Sequence, residues 1–508
     1  MKNKSKNMWL LILSALAMVL TFSPINAWIL GFFGLIPFLY VLYTHPYKGF
    51  AKGYLFGFIY SFILVHWLAF NSGAAPWLVT LSAIAAAAAL ALNYGVIGWL
   101  TALYLRRNKL GGLLLFPFLW TVVEFLRSFG TLGFQWVLVA NGQTANLAFI
   151  QLADVGGPFL ISFILVSINT LLFVILFQTP EFKKTPFFCF ILLGLFLVIP
   201  YSYGIFRLYQ TPAFLKSHYF RIVQPNYNSQ DKWEREKRDE IFETMIQLSR
   251  DSLPETVEII VWPESATPVY LRAQAKYRTM VENLTHETGT VLVTGVPDYF
   301  IEKDEIKVTN SLFVFEPNLG LTGKYSKQRL VPFGEYIPFS NLFPALSRLN
   351  LGQGNFTPGR DEPLITLQSL PVTLAPMICY ESVFSSDAIR KIREGGEYHI
   401  LVTNDSWFGN SWGPYQHASQ SIFRAVESRR PVIRCANTGI SMAIDHTGRI
   451  IKSLPLNDRG YIDVFMGVPD MQSHYVQKRN AFSFILCGIV LGVLLTPIWP
   501  VRKGRNDS

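Results

Sequence analysis

Charge is scarce in this sequence. Only 15% of its 508 residues are Asp, Glu, Lys or Arg, against roughly 25% in soluble proteins. Hydrophobic residues make up 51% of the chain, and its mean hydropathy is +0.30. This composition excludes a chain that is soluble throughout, so much of it is expected to face lipid. The length also predicts more than one domain.

Cysteine is scarce as well, with four residues, and none has the spacing of metal ligands. We therefore expect no metal and no cofactor. Cys189 and Cys487 lie in apolar runs, whereas Cys379 and Cys435 lie in a long hydrophilic stretch, where a disulfide between them is an alternative. The net charge of +10 could indicate nucleic acid. Because Lys and Arg collect beside apolar runs, membrane topology explains this charge better, and no nucleic-acid partner is expected.

Long apolar runs are plentiful. A helix that spans a bilayer needs about 20 apolar residues. Eight runs qualify, at about 8–23, 27–44, 54–71, 77–105, 110–129, 158–178, 187–205 and 481–500. Residues 130–157 are less apolar and are interrupted by glycines, so we expect a loop that folds back on the membrane. The sequence predicts a polytopic α-helical membrane bundle of about eight spans.

Every second loop carries Lys or Arg, and this alternation predicts the orientation of the spans. The basic residues beside the spans are Lys2, Lys4, Lys6, Lys48, Lys52, Arg106, Arg107, Lys109, Lys183, Lys184, Arg502, Lys503 and Arg505. The intervening loops near 24–26 and 72–76 carry no charge. This pattern places both termini in the cytoplasm and the hydrophilic stretch in the periplasm of a Gram-negative cell. A cleaved signal peptide at the first run is an alternative, but it would upset the alternation.

The predicted domains are a bundle of seven spans at 1–205, a periplasmic domain at 206–480, and a last span with a cytoplasmic tail at 481–508. Strand and helix patterns alternate in the middle domain. Predicted strands lie at 218–224, 258–262, 291–297, 310–315, 370–377, 399–403, 431–436, 441–445, 450–453 and 460–465, and predicted helices at 231–249, 273–288, 386–394 and 415–429. This order predicts an α/β domain with sheets between helix layers.

A few polar residues in the bundle have two interpretations. Glu124 and Arg127 lie three positions apart at the outer end of the fifth span. They could form a structural ion pair, or contact a lipid headgroup or the periplasmic domain. His66 is interpreted as a packed or interfacial residue.

Three motifs in the hydrophilic stretch carry the chemistry. They are Val-Trp-Pro-Glu-Ser with Glu264, Tyr-Ser-Lys-Gln-Arg-Leu-Val-Pro-Phe-Gly-Glu with Lys327, and Met-Ile-Cys-Tyr-Glu with Cys379. Each residue also has a non-catalytic interpretation. Glu264 could be a solvated carboxylate, Lys327 a surface lysine and Cys379 a buried core thiol. Glu264 and Cys379 follow predicted strands, where α/β folds present reactive groups. An acid, a cation and a thiol are the groups that acyl transfer through a thioester needs.

Each of the three groups has an expected role. Glu264 beside Trp262 should have a raised pKa, which suits a general base. An ammonium at Lys327 could depress the pKa of the thiol and stabilise an oxyanion. Glu335 or Glu381 could hold Lys327 in place, or could form ordinary salt bridges. Cys435 lacks a neighbouring acid and is interpreted as a core residue.

Together these motifs resemble the nitrilase (carbon–nitrogen hydrolase) superfamily, whose catalytic set is Glu, Lys and Cys in that order. With seven spans before the domain and one after it, nearly the whole chain resembles the apolipoprotein N-acyltransferase family. Further matches are Gln224-Pro225-Asn226, Trp233, Pro332-Phe333-Gly334-Glu335, Asn404 to Gly409, Gly413 to His417, Trp120, Glu124 and Arg127. One departure is Gln135, where the family pattern has Pro.

The resemblance implies an αββα sandwich over a transmembrane bundle. It implies that Glu264 is the general base, Lys327 the oxyanion stabiliser and Cys379 the nucleophile. The supporting residues it implies are Glu335 beside Lys327, Tyr380 and Glu381 flanking the nucleophile, and Trp233 at the lipid entrance. The implied reaction moves an acyl chain from a phospholipid to the free α-amine of a diacylglyceryl apolipoprotein. The enzyme would be a monomer in the bacterial inner membrane.

Two other functions remain possible from the sequence. A membrane-tethered amidase or nitrilase would share all three catalytic residues, although eight spans are more than a tether needs. A transporter with a regulatory outer domain would be expected to show repeats and intramembrane charges. No repeat is visible, and such charges are few.

Overall fold

In the computed structural model of this protein, apolar helices lie at both ends of the chain. The structure describes residues 2–71, 75–177, 186–228, 234–340, 342–343 and 355–496. The helices of the membrane part are α1 (Lys2–Val19), α2 (Ile36–Thr44), α3 (Gly49–Leu64), α4 (Pro76–Arg107), α5 (Lys109–Leu126), α6 (Leu147–Ile150), α7 (Ala153–Phe177), α8 (Pro186–Tyr209) and α14 (Ala481–Leu495). Some of the basic residues used to predict the orientation of the spans lie outside the described residues: Lys183, Lys184, Arg502, Lys503 and Arg505.

Four of these helices are long and apolar enough to cross a membrane: α4, α5, α7 and the segment Phe187–Tyr209 of α8. Four shorter apolar helical segments are Ser5–Val19, Trp28–Thr44, Gly49–Leu64 and Ala481–Leu495. Each predicted span therefore contains an apolar helix, and the total of eight spans stays a prediction.

Helix α3 begins five residues before the predicted span, because glycines let it approach α4 closely. A Cβ on Gly53 would lie 2.0 Å from the carbonyl oxygen of Tyr94, and one on Gly49 would lie 2.3 Å from that of Gly98. Small residues at such crossings allow backbone-to-backbone contact in membrane bundles. This contact extends the helix beyond its most hydrophobic stretch.

Helix α7 also begins before its predicted span, but a break divides it. Gly157 has a φ of +70° and is followed by Pro158, the predicted first residue of the span. Glycine adopts this backbone conformation without strain, and proline suits the first turn of the helix that follows.

The α/β domain contains two six-stranded sheets. The strands are β1 (Phe214–Gln224), β2 (Ile259–Val261), β3 (Val291–Glu302), β4 (Glu305–Glu316), β5 (Gly320–Ser326), β6 (Ile365–Thr366), β7 (Thr373–Ile378), β8 (Tyr398–Thr403), β9 (Val432–Ala436), β10 (Ser441–Ile444), β11 (Ile450–Leu454) and β12 (Gly460–Pro469). Their orders are β12-β1-β2-β3-β4-β5 and β11-β10-β9-β8-β7-β6. Strands β1, β2 and β3 are parallel, as are β7, β8 and β9, and the outer pairings are antiparallel.

The sheets face each other, with helices on both outer sides. Apolar residues of β1, β2, β7 and β8 share one core between the sheets. The helices α9 (Arg238–Arg250) and α10 (Ala275–Thr288) cover the first sheet. The second sheet contacts α11 (Ser385–Arg393), α12 (Gly413–Ser428) and α13 (His474–Lys478). The result is the expected nitrilase-like αββα sandwich. Strands β5 and β6 were not predicted.

The bundle and the second sheet share one hydrophobic core, which includes Trp136, Phe149, Phe423 and Met377. The sequence predicts that 130–157 folds back on the membrane. In the structure, much of this segment is instead buried at the junction. We refer to residues 127–138, between the end of α5 and a 3-10 turn, as the membrane-side loop.

A buried ion cluster reinforces the junction. The Asp154 carboxylate at the start of α7 accepts hydrogen bonds from Arg207 of α8 at 2.6 Å and from Arg429, after α12, at 2.8 Å. Arg429 also donates to the Gln151 side chain at 2.6 Å. Because charges buried at this depth need partners, these contacts fix the α/β domain against the bundle.

Candidate active site

The site lies where strands of both sheets end. Because β7 and β8 are parallel, Cys379 after β7 and Asn404 after β8 lie on the same edge of the second sheet. The first sheet contributes Glu264, three residues after β2, and Lys327, directly after β5. Since the two sheets face each other, the three sequence motifs meet at one end of the sandwich.

Cys379 occupies a sharp turn. Strand β7 ends at Ile378, Cys379 has a φ of +49°, and a 3-10 turn runs from Cys379 to Val383. A residue with a side chain in the left-handed region costs about 1–2 kcal/mol, so surrounding bonds must hold it there. The Glu381 carboxylate accepts from Ile378 N at 2.8 Å, and the Ser382 hydroxyl donates to Cys379 O at 2.8 Å. The thiol residue stays partly exposed among buried neighbours.

Glu264 is held by amide donors from both sheets. Its Oε1 accepts from Asn310 Nδ2 at 2.7 Å, and its Oε2 accepts from Asn404 N at 2.7 Å. Asn310 lies on β4, and its own carbonyl oxygen accepts from Lys327 N at 2.8 Å. One asparagine therefore orients the acid and the segment that carries the cation.

Lys327 is buried between two carboxylates. Its Nζ donates to Glu335 Oε1 at 2.8 Å and lies 3.7 Å from Glu264 Oε1. The second oxygen of Glu335 accepts from Val331 N at 2.8 Å, which closes the loop after β5 around the ammonium. Of the two acids proposed to hold Lys327, Glu335 contacts it directly.

The other acid, Glu381, accepts hydrogen bonds mainly from backbone amides. Its Oε1 accepts from Gln328 N at 2.8 Å, from Arg329 N at 3.2 Å and from the Tyr325 hydroxyl at 2.7 Å. Since its other oxygen binds Ile378 N, this carboxylate joins the lysine loop to the turn that presents the thiol.

Burial controls the protonation of the thiol. Burial raises the pKa of Cys379 and the Glu264 carboxylate raises it further, which outweighs the opposite effect of the Lys327 ammonium. The expected lowering effect of Lys327 on the pKa of this thiol is present, but burial and Glu264 outweigh it. The resting group is a thiol, and it needs a base to become nucleophilic.

The other two groups have protonation states that suit this need. Burial raises the pKa of Glu264, although the Lys327 ammonium lowers it in part. Burial disfavours the charged form of Lys327, but the carboxylates of Glu335 and Glu264 overcome this and raise its pKa. The arrangement provides an acceptor for the thiol proton and a permanent cation beside it.

A second buried charge cluster supports the turn, and the sequence analysis gave it no role. His417 on α12 lies behind Cys379, with Nε2 3.0 Å from the Ser382 hydroxyl and 3.3 Å from Cys379 O. Its Nδ1 lies 2.8 Å from Asp405 Oδ1, and Arg434 donates to Asp405 Oδ2 at 2.6 Å. Polar residues in a hydrophobic strand or helix, such as Arg434 in β9, are the signal that could have found this cluster.

The membrane-side loop contacts the residues next to the nucleophile. The Tyr380 hydroxyl donates to Gly133 O at 3.0 Å. The Gln135 side chain, where the family pattern has Pro, accepts from Ser385 N at 3.1 Å, at the first residue of α11. Trp136 donates to Gln416 Oε1 at 2.7 Å and stacks on His417. The side chain at this departure thus bonds the membrane-side loop to the start of α11, two residues after the turn that carries Cys379.

Glu124 and Arg127 hold this loop from below, each through separate partners. Glu124 accepts from Val139 N at 2.9 Å and from Trp120 Nε1 at 3.1 Å. Arg127 donates to Phe134 O at 3.2 Å and to the Tyr94 hydroxyl at 3.2 Å. The two charges also interact with each other electrostatically, as the interpretation as a structural pair expects.

The remaining predicted residues divide into three cases. Cys435 is a buried core thiol, which donates to the carbonyl oxygens of Val223 and Val261. His66 contacts the Trp412 ring edge-on, at 5.4 Å between centroids. Trp233 lies outside the described residues.

Comparison with known proteins agrees with this architecture. Residues 14–171 match the apolipoprotein N-acyltransferase N-terminal domain, and residues 221–477 match the carbon-nitrogen hydrolase domain. The chain is 31% identical to the apolipoprotein N-acyltransferase of Geobacter metallireducens over 449 residues, which cover 86% of this chain and 85% of that relative. This chain belongs to the apolipoprotein N-acyltransferase family. The family member from Pseudomonas putida is 30% identical over 509 residues, which cover 96% of this chain and 95% of its own.

Solved structures of the nitrilase superfamily resemble part of the chain. An amidase from Nesterenkonia sp. has a TM-score of 0.38 and 14% identity, over 53% of this chain and 95% of the amidase. A Saccharomyces cerevisiae member of the superfamily has a TM-score of 0.39 and 16% identity, over 56% of this chain and 98% of its own.

Proposed function

We propose that this protein transfers an acyl chain from a membrane phospholipid to the free α-amine of the diacylglyceryl cysteine that begins an apolipoprotein. Glu264, Lys327 and Cys379 are the proposed catalytic residues. The observation that carries this proposal is the Lys327 ammonium, 3.7 Å from the Glu264 carboxylate and near enough to Cys379 to act on its pKa. Membership of the apolipoprotein N-acyltransferase family supports the substrates.

The first half-reaction forms a thioester. Glu264 takes the proton of the Cys379 thiol as the sulfur attacks the ester carbonyl of the phospholipid. Lys327 stabilises the oxyanion of the tetrahedral intermediate. The intermediate collapses with loss of the glycerol oxygen, which takes the proton from Glu264, so a lysophospholipid leaves and the acyl chain stays on sulfur.

The second half-reaction consumes the thioester. The neutral α-amine of the apolipoprotein attacks the thioester carbonyl, and Lys327 again stabilises the oxyanion. The carbon–sulfur bond breaks, and the amine proton passes through Glu264 back to the Cys379 thiolate. The product is an N-acylated lipoprotein with a stable amide bond, and the enzyme is regenerated.

The proposed setting is a bacterial inner membrane crossed eight times, with both termini in the cytoplasm. The domain boundaries are proposed at 205 and 480, with the α/β domain in the periplasm and the protein acting as a monomer. The shared core between the bundle and the second sheet supports a site held close to the bilayer surface. Glu335, Tyr380 and Glu381 are proposed to position the catalytic groups, and Trp233 to line the lipid entrance.

A membrane-tethered amidase or nitrilase is the alternative, because it would form the same kind of thioester and pass it to water. The test incubates purified protein with a phospholipid and a synthetic diacylglyceryl peptide and measures acylated peptide and free fatty acid. The proposal expects acylated peptide from the wild type and none from Cys379→Ala. Free fatty acid without acylated peptide would establish the hydrolase, and wild-type turnover in Cys379→Ala would contradict both.

A further inference from the structure

A cavity of about 450 Å³ lies beside the proposed site, between the membrane-side loop and the α/β domain. Gly130, Thr131 and Gly133 form its wall on the side of the bundle, and Tyr380 and Glu381 border it next to the nucleophile. We call it the interface cavity. Since α5 ends at Leu126, the wall formed by the bundle lies just beyond the end of an apolar helix, where lipid headgroups are expected.

The interface cavity carries three cations, and one of them has a carboxylate partner. Arg329 forms an ion pair with Asp387 at 2.7 Å. The other two cations, Arg390 and Lys391, lie on α11 and have no carboxylate within 4.0 Å among the described residues. The remaining acid, Glu381, already accepts hydrogen bonds from four groups.

Among the described residues, the two cations donate only to neutral acceptors. Arg390 donates to the Gln328 side chain at 3.0 Å, and its Nε, which is shielded from solvent, has no acceptor in the described part of the chain. The Lys391 ammonium donates to the Tyr325 hydroxyl at 2.9 Å and to the carbonyl oxygen of Pro376. Burial lowers the pKa of Lys391 and outweighs the opposite effect of the Glu381, Asp387 and Glu394 carboxylates. Because three cations and two carboxylates line the cavity, it has excess positive charge and an unused donor.

We propose that the interface cavity binds the phosphate group of the phospholipid acyl donor through Arg390 and Lys391. The inference rests on the proposed acyl transfer. Guanidinium groups bind phosphate oxygens through charged, directional hydrogen bonds. The cavity is lined by Tyr380 and Glu381, the two residues after Cys379, so a phosphate there keeps the ester of the same lipid near the thiol.

The geometry also connects the cavity to the nucleophile turn. Lys391 donates to the Tyr325 hydroxyl, which donates to Glu381 at 2.7 Å. Glu381 in turn holds Ile378 N, one residue before Cys379. A phosphate bound by Lys391 would therefore contact the hydrogen-bonded chain of Lys391, Tyr325 and Glu381 that holds the backbone next to Cys379.

The test compares two donors that carry the same acyl chain. One is dipalmitoyl phosphatidylethanolamine, and the other is p-nitrophenyl palmitate, which lacks phosphate. Arg390→Gln should raise KM for the phospholipid about tenfold with kcat little changed, because it removes one charged hydrogen bond of the ground state. KM for p-nitrophenyl palmitate should stay the same, and Arg390→Lys should recover part of the loss.

Arg393→Gln is the matched control, since Arg393 is exposed at the end of the same helix and should leave both donors unaffected. Equal effects of Arg390→Gln on the two donors, or no effect on either, would overturn the proposal. If Arg390→Gln abolishes inhibition of the p-nitrophenyl palmitate reaction by inorganic phosphate but leaves KM for the phospholipid unchanged, the cavity binds free phosphate and the headgroup assignment is wrong. A wild type that gains no acyl chain on Cys379 from either donor would instead contradict the proposed function.

Discussion

Replacing Glu335 with Gln tests how the buried ammonium is positioned. The carboxylate accepts from Lys327 Nζ with one oxygen and from Val331 N with the other, both at 2.8 Å. Glutamine has a single acceptor oxygen, so it can satisfy one of these donors while its amide group faces the other. The side chain keeps its size, and therefore the change removes charge and one acceptor without leaving a cavity.

The structure sets the size of the effect. A hydrogen bond to a charged group contributes about 1.5–3 kcal/mol, and Glu335 is only 2% exposed, so solvent screens little of it. Each 1.4 kcal/mol or so of lost transition-state stabilisation is about a tenfold loss of rate. We expect kcat/KM for acyl-enzyme formation to fall about 10- to 100-fold.

The same substitution should change the pH dependence. The proposed reaction needs ionised Glu264, so the rate should rise with pH as this acid loses its proton. Burial and the Glu335 charge raise the pKa of Glu264, and Lys327 lowers it. Glu335→Gln removes a raising influence and leaves Lys327 free to act on Glu264, so the acid limb of the profile should move to lower pH.

The assay follows the single-turnover rate of acyl-enzyme formation by intact mass between about pH 4 and 9, a range that brackets the ordinary pKa of Glu, about 4.3, and of Cys, about 8.5. Glu362→Gln is the control, since Glu362 is an exposed carboxylate, and it should behave as the wild type. A thermal unfolding curve separates lost positioning from lost structure. A wild-type rate for Glu335→Gln, or an acid limb moved to higher pH, would refute this account of Lys327.

Three further substitutions test the supporting contacts. Tyr380→Phe removes one bond to the membrane-side loop, worth about 0.5–1.5 kcal/mol, and should slow acyl-enzyme formation about two- to tenfold; an unchanged rate would show that the hydroxyl does not position the turn. Asp405→Asn leaves Arg434 as an unpaired buried charge and should destabilise the domain by about 3–5 kcal/mol, so a thermal midpoint in detergent equal to that of the wild type would contradict the buried ion pair. Gln135→Leu leaves Ser385 N without its acceptor and should cost about 1–3 kcal/mol; a more stable Gln135→Leu variant would contradict the role given to this side chain.

The sequence was most informative where local pattern and chemistry agree. The parallel strands β2 and β7 were predicted from runs of apolar residues, and each is followed by a polar residue with reactive chemistry. Strand ends are where α/β folds present reactive groups, so Glu264 and Cys379 could be selected as candidates. Their proximity could not be predicted in this way, because β2 and β7 belong to different sheets. Their catalytic roles stay predictions.

Other features depend on contacts that the local sequence pattern does not reveal. Strand β5 contains two glycines and no alternation of apolar residues, and it forms because it pairs with β4. Asn310 joins Glu264 to the backbone of Lys327, yet it appears in the sequence only as a polar residue within an apolar strand. The left-handed backbone of Cys379 depends on Glu381 and Ser382, and no local rule predicts it.

The pKa of the thiol shows the same limit. A neighbouring lysine alone suggests a depressed pKa, and the structure reverses this because burial and the Glu264 carboxylate act in the opposite direction. Burial of this kind arises from packing between two sheets and a membrane bundle. It cannot be derived from the motif around Cys379.

The most direct measurement is the intact mass of the purified protein after incubation with a defined phospholipid, beside Cys379→Ala treated in the same way. The account predicts a gain of one acyl chain that hydroxylamine removes and that Cys379→Ala does not acquire. A folded wild-type protein that gains no mass, or a Cys379→Ala variant that gains the same mass, would contradict an acyl-enzyme on Cys379.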